Sequence, residues 1–222
     1  RLGRPHRCGL PNRNGLNRLV KRHWVERAED RVFLSPVIRQ VAFETAGVSF
    51  AACGPLLKAW NRWYKGLSGG EQYLWRETLQ TVGEHACLLA QNGEPGDEKA
   101  PILHSLGLRC REQNLRAQAE ALYRESLELY RKLAATNPSM YEPNMAGTCN
   151  NLALLLSDST EGREEAEKLY RESLELSRKQ ARIAPGVYQP YLARVCRNLG
   201  RFLQSQGRTE EAAVLFQEAK GE

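Results

Sequence analysis

Sequence motifs typical of enzyme active sites are missing from this chain of 222 residues. No G-x-x-x-x-G-K-[ST] loop is present to hold nucleotide phosphates, and neither H-E-x-x-H nor G-x-S-x-G occurs. The six cysteines include no C-x-x-C pair, so the sequence offers no zinc knuckle. We therefore predict that the chain is not an enzyme and uses neither a metal nor a cofactor.

Long apolar runs are missing as well. No stretch approaches the roughly 18 apolar residues of a membrane span, and no secretory apolar segment lies near the start. The scattered cysteines are interpreted as small buried residues of a reducing compartment, which predicts a cytoplasmic location. Because the first residue is Arg and not Met, we expect a fragment or a processed product.

Positive charge is concentrated at the beginning of the chain. Residues 1–31 carry nine lysines and arginines against three acidic residues, and the whole chain has a net charge of +6. Such an arm could attract phosphate groups, but a solvated lead-in accounts for it equally simply. We predict a basic, flexible lead-in over residues 1–13.

The strongest positive signal is an internal repeat. Residues 121–132 read ALYRESLELYRK, and residues 168–179 read KLYRESLELSRK. The segments after these phrases correspond as well, with Tyr141 matching Tyr188 and Cys149 matching Cys196. A third, more divergent copy includes Leu106-Gly107. Periods of about 20–50 residues are typical of solenoids, in which each unit buries its apolar face against its neighbours.

Each copy predicts two helices. Apolar residues at helical spacing mark the first helix of each copy: Leu103, Leu106, Leu108 and Cys110; Cys149, Leu152, Leu155 and Leu156; Cys196, Leu199, Phe202 and Leu203. Small and aromatic residues alternate in the second: Ala119, Tyr123 and Ser126; Ala166, Tyr170 and Ser173; Ala212, Phe216 and Ala219. Four prolines are expected between the copies, where they end helices: Pro138, Pro143, Pro185 and Pro190.

These spacings resemble the tetratricopeptide repeat, which places Leu-Gly, then Ala, an aromatic and a small residue at fixed intervals. Leu106-Gly107, Ala119, Tyr123 and Ser126 follow that pattern. The second helices are longer than usual, as in the extended repeats of kinesin-light-chain-like proteins. The resemblance implies an all-α helical-repeat solenoid with repeats at about 100–137, 138–184 and 185–222.

A divergent helix pair and a linker are predicted over residues 47–99. The segments GPLLKAWNRWYKGL (54–67) and GGEQYLWRETLQTVGEHACLLAQ (69–91) each read as one helix, and NGEPGDEKAP (92–101) reads as a loop. Three tryptophans lie close together in the chain, at Trp60, Trp63 and Trp75. They could form a stacking platform for nucleic acid, but we interpret them as core residues.

Residues 14–46 resemble the end of a winged helix. A short helix from Leu16 to His23, a β-type run RVFLS at 31–35 and a helix starting at Pro36 are expected. The same stretch resembles the junction that follows the ATPase core of STAND proteins, although Ser35 stands where that family often has His. The resemblance implies that the repeats sense a ligand, which relieves autoinhibition of an upstream ATPase and lets it oligomerise.

The resemblance to tetratricopeptide repeats also implies a ligand groove along the first helices. The candidate groove residues are His104, Asn150, Asn151, Arg194, Arg197, Asn198 and Arg201. Asparagine amides can hydrogen-bond a peptide backbone, and the arginines would favour an acidic segment. The alternative is that Asn151 and Asn198 cap the packing between repeats and the arginines are merely solvated. The Lys/Asn set of the carboxylate-clamp subfamily is missing, which argues against chaperone tails as ligands.

The sequence thus predicts a non-enzymatic scaffold that binds a protein or peptide, as the C-terminal part of a STAND-type signalling ATPase. A free-standing adaptor of kinesin-light-chain style is the first alternative. A nucleic-acid-binding regulator that uses the basic arm is the second and is disfavoured, because the winged helix is incomplete. The last repeat has no polar capping helix, so self-association through its apolar face is also expected.

Overall fold

The computed structural model describes residues 25–28, 31–34, 50–91 and 97–221. The chain divides into two compact units, Arg1–Val48 and Ser49–Glu222. In the first unit, strands β1 (Val25–Ala28) and β2 (Arg31–Leu34) form an antiparallel pair. Strand β2 coincides with the predicted run RVFLS, whereas β1 was not predicted.

The other expectations for the N-terminal region lie outside the described residues. These are the basic lead-in over 1–13, the helix at 16–23 and the helix starting at Pro36. The winged-helix-like character of residues 14–46 therefore stays a prediction.

Helices make up the second unit wherever it is described. They are α1 (Phe50–Lys65), α2 (Gly69–Leu74), α3 (Arg76–Gln91), α4 (Lys99–Glu112), α5 (Arg116–Thr136), α6 (Pro138–Leu156), α7 (Arg163–Ile183), α8 (Pro185–Ser205) and α9 (Thr209–Glu218). Helix α4 begins at Lys99, so the last residues of the predicted loop NGEPGDEKAP are helical.

The helices from α4 onward stack as consecutive pairs. Helix α4 packs on α5, α6 on α7 and α8 on α9, and α5 and α7 also pack on the first helix of the following pair. Helices α1 and α3 add another layer, because α1 packs on α4 and α3 packs on both α4 and α5. The prediction of an all-α helical-repeat solenoid is confirmed.

Close approach within a pair depends on glycine facing an aromatic ring. A Cβ atom built on Gly107 would lie 2.9 Å from the ring of Tyr123, and one on Gly200 would lie 2.6 Å from the ring of Phe216. Real Cβ atoms do not come this close to ring carbons, so a larger residue would push the two helices apart. The small–aromatic alternation in the sequence therefore reflects direct packing between the helices of one repeat.

Two buried serines also link the two helices of a repeat by hydrogen bonds, one in the pair α4–α5 and one in the pair α6–α7. The hydroxyl of Ser126 donates to the backbone oxygen of Ala100 at 2.8 Å. The hydroxyl of Ser173 donates to the backbone oxygen of Ala146, also at 2.8 Å. Both serines are fully buried, so each bond satisfies a hydroxyl that would otherwise be costly to remove from water.

The prolines behave in two ways, and the expectation for two of them was wrong. Pro138 and Pro185 are the first residues of α6 and α8, where the missing N–H costs nothing. Pro143 and Pro190 instead lie inside those helices. Each stands in the second turn, so the helix loses a hydrogen bond near its start and continues beyond it.

The predicted helix over residues 69–91 is broken at Trp75, which separates α2 from α3. A capping box between Ser68 and Glu71 begins α2. The interpretation of the tryptophans as core residues is corrected for two of them, because Trp63 and Trp75 remain 44% and 43% exposed. Their rings meet edge to face at 5.2 Å.

The repeated phrase of the second helices forms ion pairs between repeats. We call four of these pairs the second-helix ladder: Arg124–Glu165, Arg131–Glu172, Arg171–Glu211 and Arg178–Glu218. In the Arg124 and Arg178 pairs, two nitrogens of one guanidinium contact both oxygens of one carboxylate. Equivalent positions thus make equivalent pairs at successive repeats, which explains why the phrase recurs.

Candidate binding site on the first helices

A cavity of about 560 Å³ lies along the first helices of the three repeats, and we call it the central cavity. Helices α4, α6 and α8 supply most of its lining, and α5 and α7 supply the rest. The lining residues are His104, Leu108, Arg111, Tyr130, Ser139, Met140, Pro143, Asn144, Ala146, Gly147, Asn151, Ser177, Gln180, Val187, Tyr188, Tyr191, Arg194 and Val195.

The charged side chains that line the central cavity are all positive. Its lining contains Arg111 and Arg194 but no Asp or Glu. Among the described residues, no carboxylate forms an ion pair with either arginine. The guanidinium of Arg194 instead lies 5.3 Å from the centre of the Tyr191 ring, a cation–π distance. An anionic group entering the cavity would therefore meet cations that form no ion pair with a described carboxylate.

His104 lies between repeats one and two at the wall of this cavity. Its Nδ1 atom is 2.9 Å from the hydroxyl oxygen of Thr148, and its Nε2 atom is 3.4 Å from the amide nitrogen of Asn151. Burial, together with the nearby positive charges of Arg111 and Arg194, lowers the pKa of His104 to about 4. The imidazole is therefore neutral at physiological pH.

Hydrogen bonds between side chains connect successive first helices, and we call them the first-helix ladder. The amide of Asn61 donates to the hydroxyl of Ser105 at 2.6 Å. His104 contacts Asn151 as described, and the amide of Asn198 donates to the Oδ1 atom of Asn150 at 3.0 Å. The first pair joins α1 to the first repeat and the other two join one repeat to the next, so the ladder fixes how these neighbours are aligned.

The seven predicted groove residues fall into three groups. His104, Asn151 and Arg194 line the central cavity together. Asn150 is buried and pairs with Asn198 between repeats, which agrees with the packing alternative for Asn198. The third group, Arg197 and Arg201, is exposed on α8 but does not line the cavity. A role of any of the seven in peptide binding stays a prediction.

Several lining residues were missed by the sequence reading, although some left a signal. Leu108 follows His104 by four residues and Arg111 follows Leu108 by three, which places all three on one helical face. Tyr188 and Tyr191 lie one turn apart near the start of α8. Ser177 and Gln180 come from a second helix and reach the cavity only in the stacked structure.

Features required for metal binding or thiol chemistry do not arise in the described residues. No group of three or more His, Cys, Asp or Glu is arranged there to hold a metal ion. Burial raises the pKa of Cys110 and of Cys196 to about 12, and it raises the pKa of Cys149 as well. These thiols remain protonated at neutral pH and are poor nucleophiles. No described helix is long and apolar enough to cross a membrane.

Comparison with known proteins bears on the repeats. The family model described as tetratricopeptide repeat matches residues 102–137, 145–179 and 192–220. The chain carries three tetratricopeptide repeats. These matches correspond to the helix pairs α4–α5, α6–α7 and α8–α9. The matches do not include residues 1–101, so they leave the STAND-like resemblance of residues 14–46 as a prediction.

Whole-chain comparisons add little to the tetratricopeptide assignment. No curated protein matches the sequence. Among solved structures, the chain is similar to the crystal structure of BtubC (BKLC) from P. vanneervenii. The two share 16% sequence identity with a TM-score of 0.39, over 93% of this chain and 87% of that one. A similarity this distant carries no argument about ligand or assembly.

Proposed function

We propose that the chain is a non-enzymatic interaction module that binds an extended, acidic peptide in the central cavity. The observation that carries this proposal is the pair of cavity arginines, Arg111 and Arg194, for which the described residues provide no carboxylate partner. The arginines of the second-helix ladder, in contrast, are all paired. A ligand carboxylate would supply the missing partner through charge-assisted hydrogen bonds.

The uncharged lining suggests what else the ligand carries. Met140, Val187 and Tyr188 provide apolar surface beside the arginines, and the volume of about 560 Å³ lies within the usual range of ligand pockets. A side chain of several carbons next to an acidic residue would use both surfaces. We therefore expect an acidic peptide with an interleaved aliphatic or aromatic residue.

The other predicted groove residues take different roles in this proposal. Asn151 lines the cavity and can hydrogen-bond the ligand backbone. Asn150 and Asn198 satisfy each other, so we assign them to the packing of repeats two and three. Arg197 and Arg201 lie on the exposed face of α8, where they would act as flanking positive charges for a longer acidic segment.

A matched pair of charge reversals on α8 tests the cavity. Arg194→Glu reverses a lining residue, whereas Arg201→Glu reverses an exposed arginine outside the lining. The probe is a library of synthetic peptides in matched pairs, each acidic sequence beside its version with Asn and Gln in place of Asp and Glu. We expect wild type to retain acidic members, Arg194→Glu to weaken that binding about tenfold, and Arg201→Glu to change it by about twofold or less.

Two outcomes would contradict the proposal. One is equal binding of the acidic peptides and their amide counterparts by the wild-type chain. The other is an equal loss in Arg194→Glu and Arg201→Glu, which would indicate a general effect of net charge on peptide association. Circular dichroism of both variants checks that the helices are intact.

We further infer that this module is the C-terminal sensor of a larger cytoplasmic STAND-type signalling ATPase, in which ligand on the repeats relieves autoinhibition. Residues 14–46 support this inference through their resemblance to the junction after an ATPase core. A Walker motif in the same reading frame upstream would support it. A start codon directly before residue 1 would contradict it and favour the free-standing adaptor.

Self-association through the last repeat also remains a proposal, since α9 leaves Val214 62% exposed. Light scattering of wild type and Val214→Lys tests it. A monomer in both cases would contradict it.

A further inference from the structure

The protons around His104 can be assigned from hydrogen-bond logic. The hydroxyl of Thr148 donates to the backbone oxygen of Asn144 at 2.9 Å. A hydroxyl has a single proton, so toward His104 its oxygen can only accept. The Nδ1 atom of His104, 2.9 Å from that oxygen, must therefore carry the imidazole proton.

The tautomer in turn decides the orientation of Asn151. With the proton on Nδ1, the Nε2 atom of His104 has a free lone pair and faces the Nδ2 atom of Asn151 at 3.4 Å. The amide of Asn151 must then donate to the ring through Nδ2. Its Oδ1 atom makes no hydrogen bond to any described residue, while the side chain lines the central cavity.

We propose that His104 is a positioning residue that fixes the Asn151 amide so that the cavity presents an acceptor, Oδ1, to a backbone N–H of the ligand. This inference rests on the proposed function and deepens it. The ligand must offer an N–H at this point, so a proline or an N-methylated residue there is rejected. A freely rotating asparagine could pair with either a donor or an acceptor of the ligand and would make no such distinction.

Protonation of His104 would reverse this arrangement. Its Nε2 atom would become a donor, and the Asn151 amide would have to turn over and present Nδ2 to the ligand instead. Charged groups face the ring from two helices, with Arg111 on its own helix and Arg194 on α8, and both oppose a second proton. Within the described part of the chain, the other titratable groups near the ring or in the cavity are phenols: Tyr123 and Tyr130 of α5 and Tyr188 and Tyr191 of α8.

The remaining helices around His104 add no described charge to the cavity. From α6 the ring meets Thr148 and Asn151, which do not titrate. Helices α1 and α3 also pack on α4 and contribute no described residue to the lining. The two arginines therefore favour the neutral ring and keep Asn151 in its acceptor orientation.

The chain contains its own control for this arrangement. The position equivalent to His104 in the second repeat is Asn150, whose Oδ1 atom accepts from Asn198 at 3.0 Å. His104→Asn thus supplies an acceptor that does not titrate, whereas His104→Leu removes the acceptor and leaves the Asn151 amide free to rotate.

The decisive experiment needs no ligand. Nitrogen NMR of the full chain with labelled histidine and asparagine reports the His104 tautomer at neutral pH. We expect the proton on Nδ1, and a proton on Nε2 overturns the proposal. On acidification, the Asn151 amide resonance should titrate together with His104 in wild type and stay constant in His104→Asn. An Asn151 resonance that ignores His104 also overturns the proposal.

Acid unfolding could precede the titration, so a second variant keeps it observable. Arg111→Gln removes one of the two opposing charges and should raise the His104 midpoint. A lack of any upward shift overturns the role given to that arginine. In the peptide-library assay, His104→Leu should weaken acidic peptides about tenfold, and His104→Asn should restore them. If wild type retains no peptide, the proposed function fails, while the tautomer measurement still decides this inference.

Discussion

The arginines of the second helices and those of the first helices differ in what they face. On the second helices, Arg124 and Arg178 each meet both oxygens of a glutamate on the next repeat. On the first helices, Arg111 and Arg194 line a cavity whose described lining has no carboxylate. The same residue type therefore forms ion pairs between repeats on one side and lines a cavity on the other.

Repetition separates these two roles. The paired arginines recur at equivalent positions, Arg124 with Arg171 and Arg131 with Arg178. Arg194 does not recur, because the equivalent position of the second repeat is Gly147. Positions that repeat carry the stacking, which every repeat needs, whereas positions that differ give the cavity its own chemistry.

Lowering the pH should destabilise the first-helix side before the second-helix side, and this is the largest effect on stability that we expect. The pKa of His104 is lowered from 6.5 to about 4. The contribution of the neutral imidazole to the stability of the fold is therefore complete above pH 6.5 and is lost as the pH falls toward 4. The corresponding loss in the free energy of unfolding is on the order of 3 kcal/mol. Urea unfolding across this pH range measures it.

The second-helix ladder should fail only at lower pH. The pKa of Glu165 and that of Glu218 are lowered from 4.5, chiefly by hydrogen bonds from Arg124 and Arg178, so their contribution is lost only below that value. His104→Asn is the control and should flatten the pH dependence between 6.5 and 4.5. An unchanged slope in that variant would show that other groups cause it.

A valine between the first and second helices of a repeat should destabilise the packing of both helices at once. In Gly107→Val the new Cβ atom would lie 2.9 Å from the ring of buried Tyr123, and we expect a loss of about 2–3 kcal/mol. Gly186→Val is the matched control, because no heavy atom lies within 4 Å of its Cβ position. Thermal melting compares the variants, and similar melting temperatures would contradict the close packing of α4 and α5.

A double-mutant cycle on Arg178 and Glu218 should give a smaller effect. Bidentate geometry and partial burial suggest a coupling of about 1 kcal/mol, near the upper end for surface ion pairs. The exchange Arg178→Glu with Glu218→Arg should recover part of the loss seen in either single reversal. Urea unfolding in low and high salt measures the coupling, and a value of zero would mean that the ladder only accompanies the stacking.

Removing a cavity arginine should have the smallest effect on stability. Arg194→Gln deletes a cation that has no carboxylate partner among the described residues, so we expect a change within about 0.5 kcal/mol. A clear loss, measured by urea unfolding, would mean that Arg194 holds the repeats together. The contrast between the two sides would then disappear.

The sequence was sufficient for the repeat architecture because stacking imposes the same residues at each repeat. Gly107 against Tyr123 and Gly200 against Phe216 are read directly as a small residue and an aromatic at fixed spacing. The break at Trp75 was missed, since the apolar pattern of residues 69–91 runs across it.

The site was harder to predict because it depends on single-residue register. Adjacent helical residues point about 100° apart, so Asn150 is buried between repeats while Asn151 reaches the cavity. Family spacing does not resolve that difference. The contact between His104 and Asn151 joins residues 47 positions apart, and no local pattern in either helix marks it.

The second-helix ladder also bears on how such a chain can lengthen. A repeat contributes its arginines to the next repeat and its glutamates to the preceding one, as Arg171 and Glu165 of α7 show. A tandem copy of this repeat would carry both halves of the pairing from the outset. It could be inserted between its neighbours without a compensating change on either side, so gene duplication alone would extend the array.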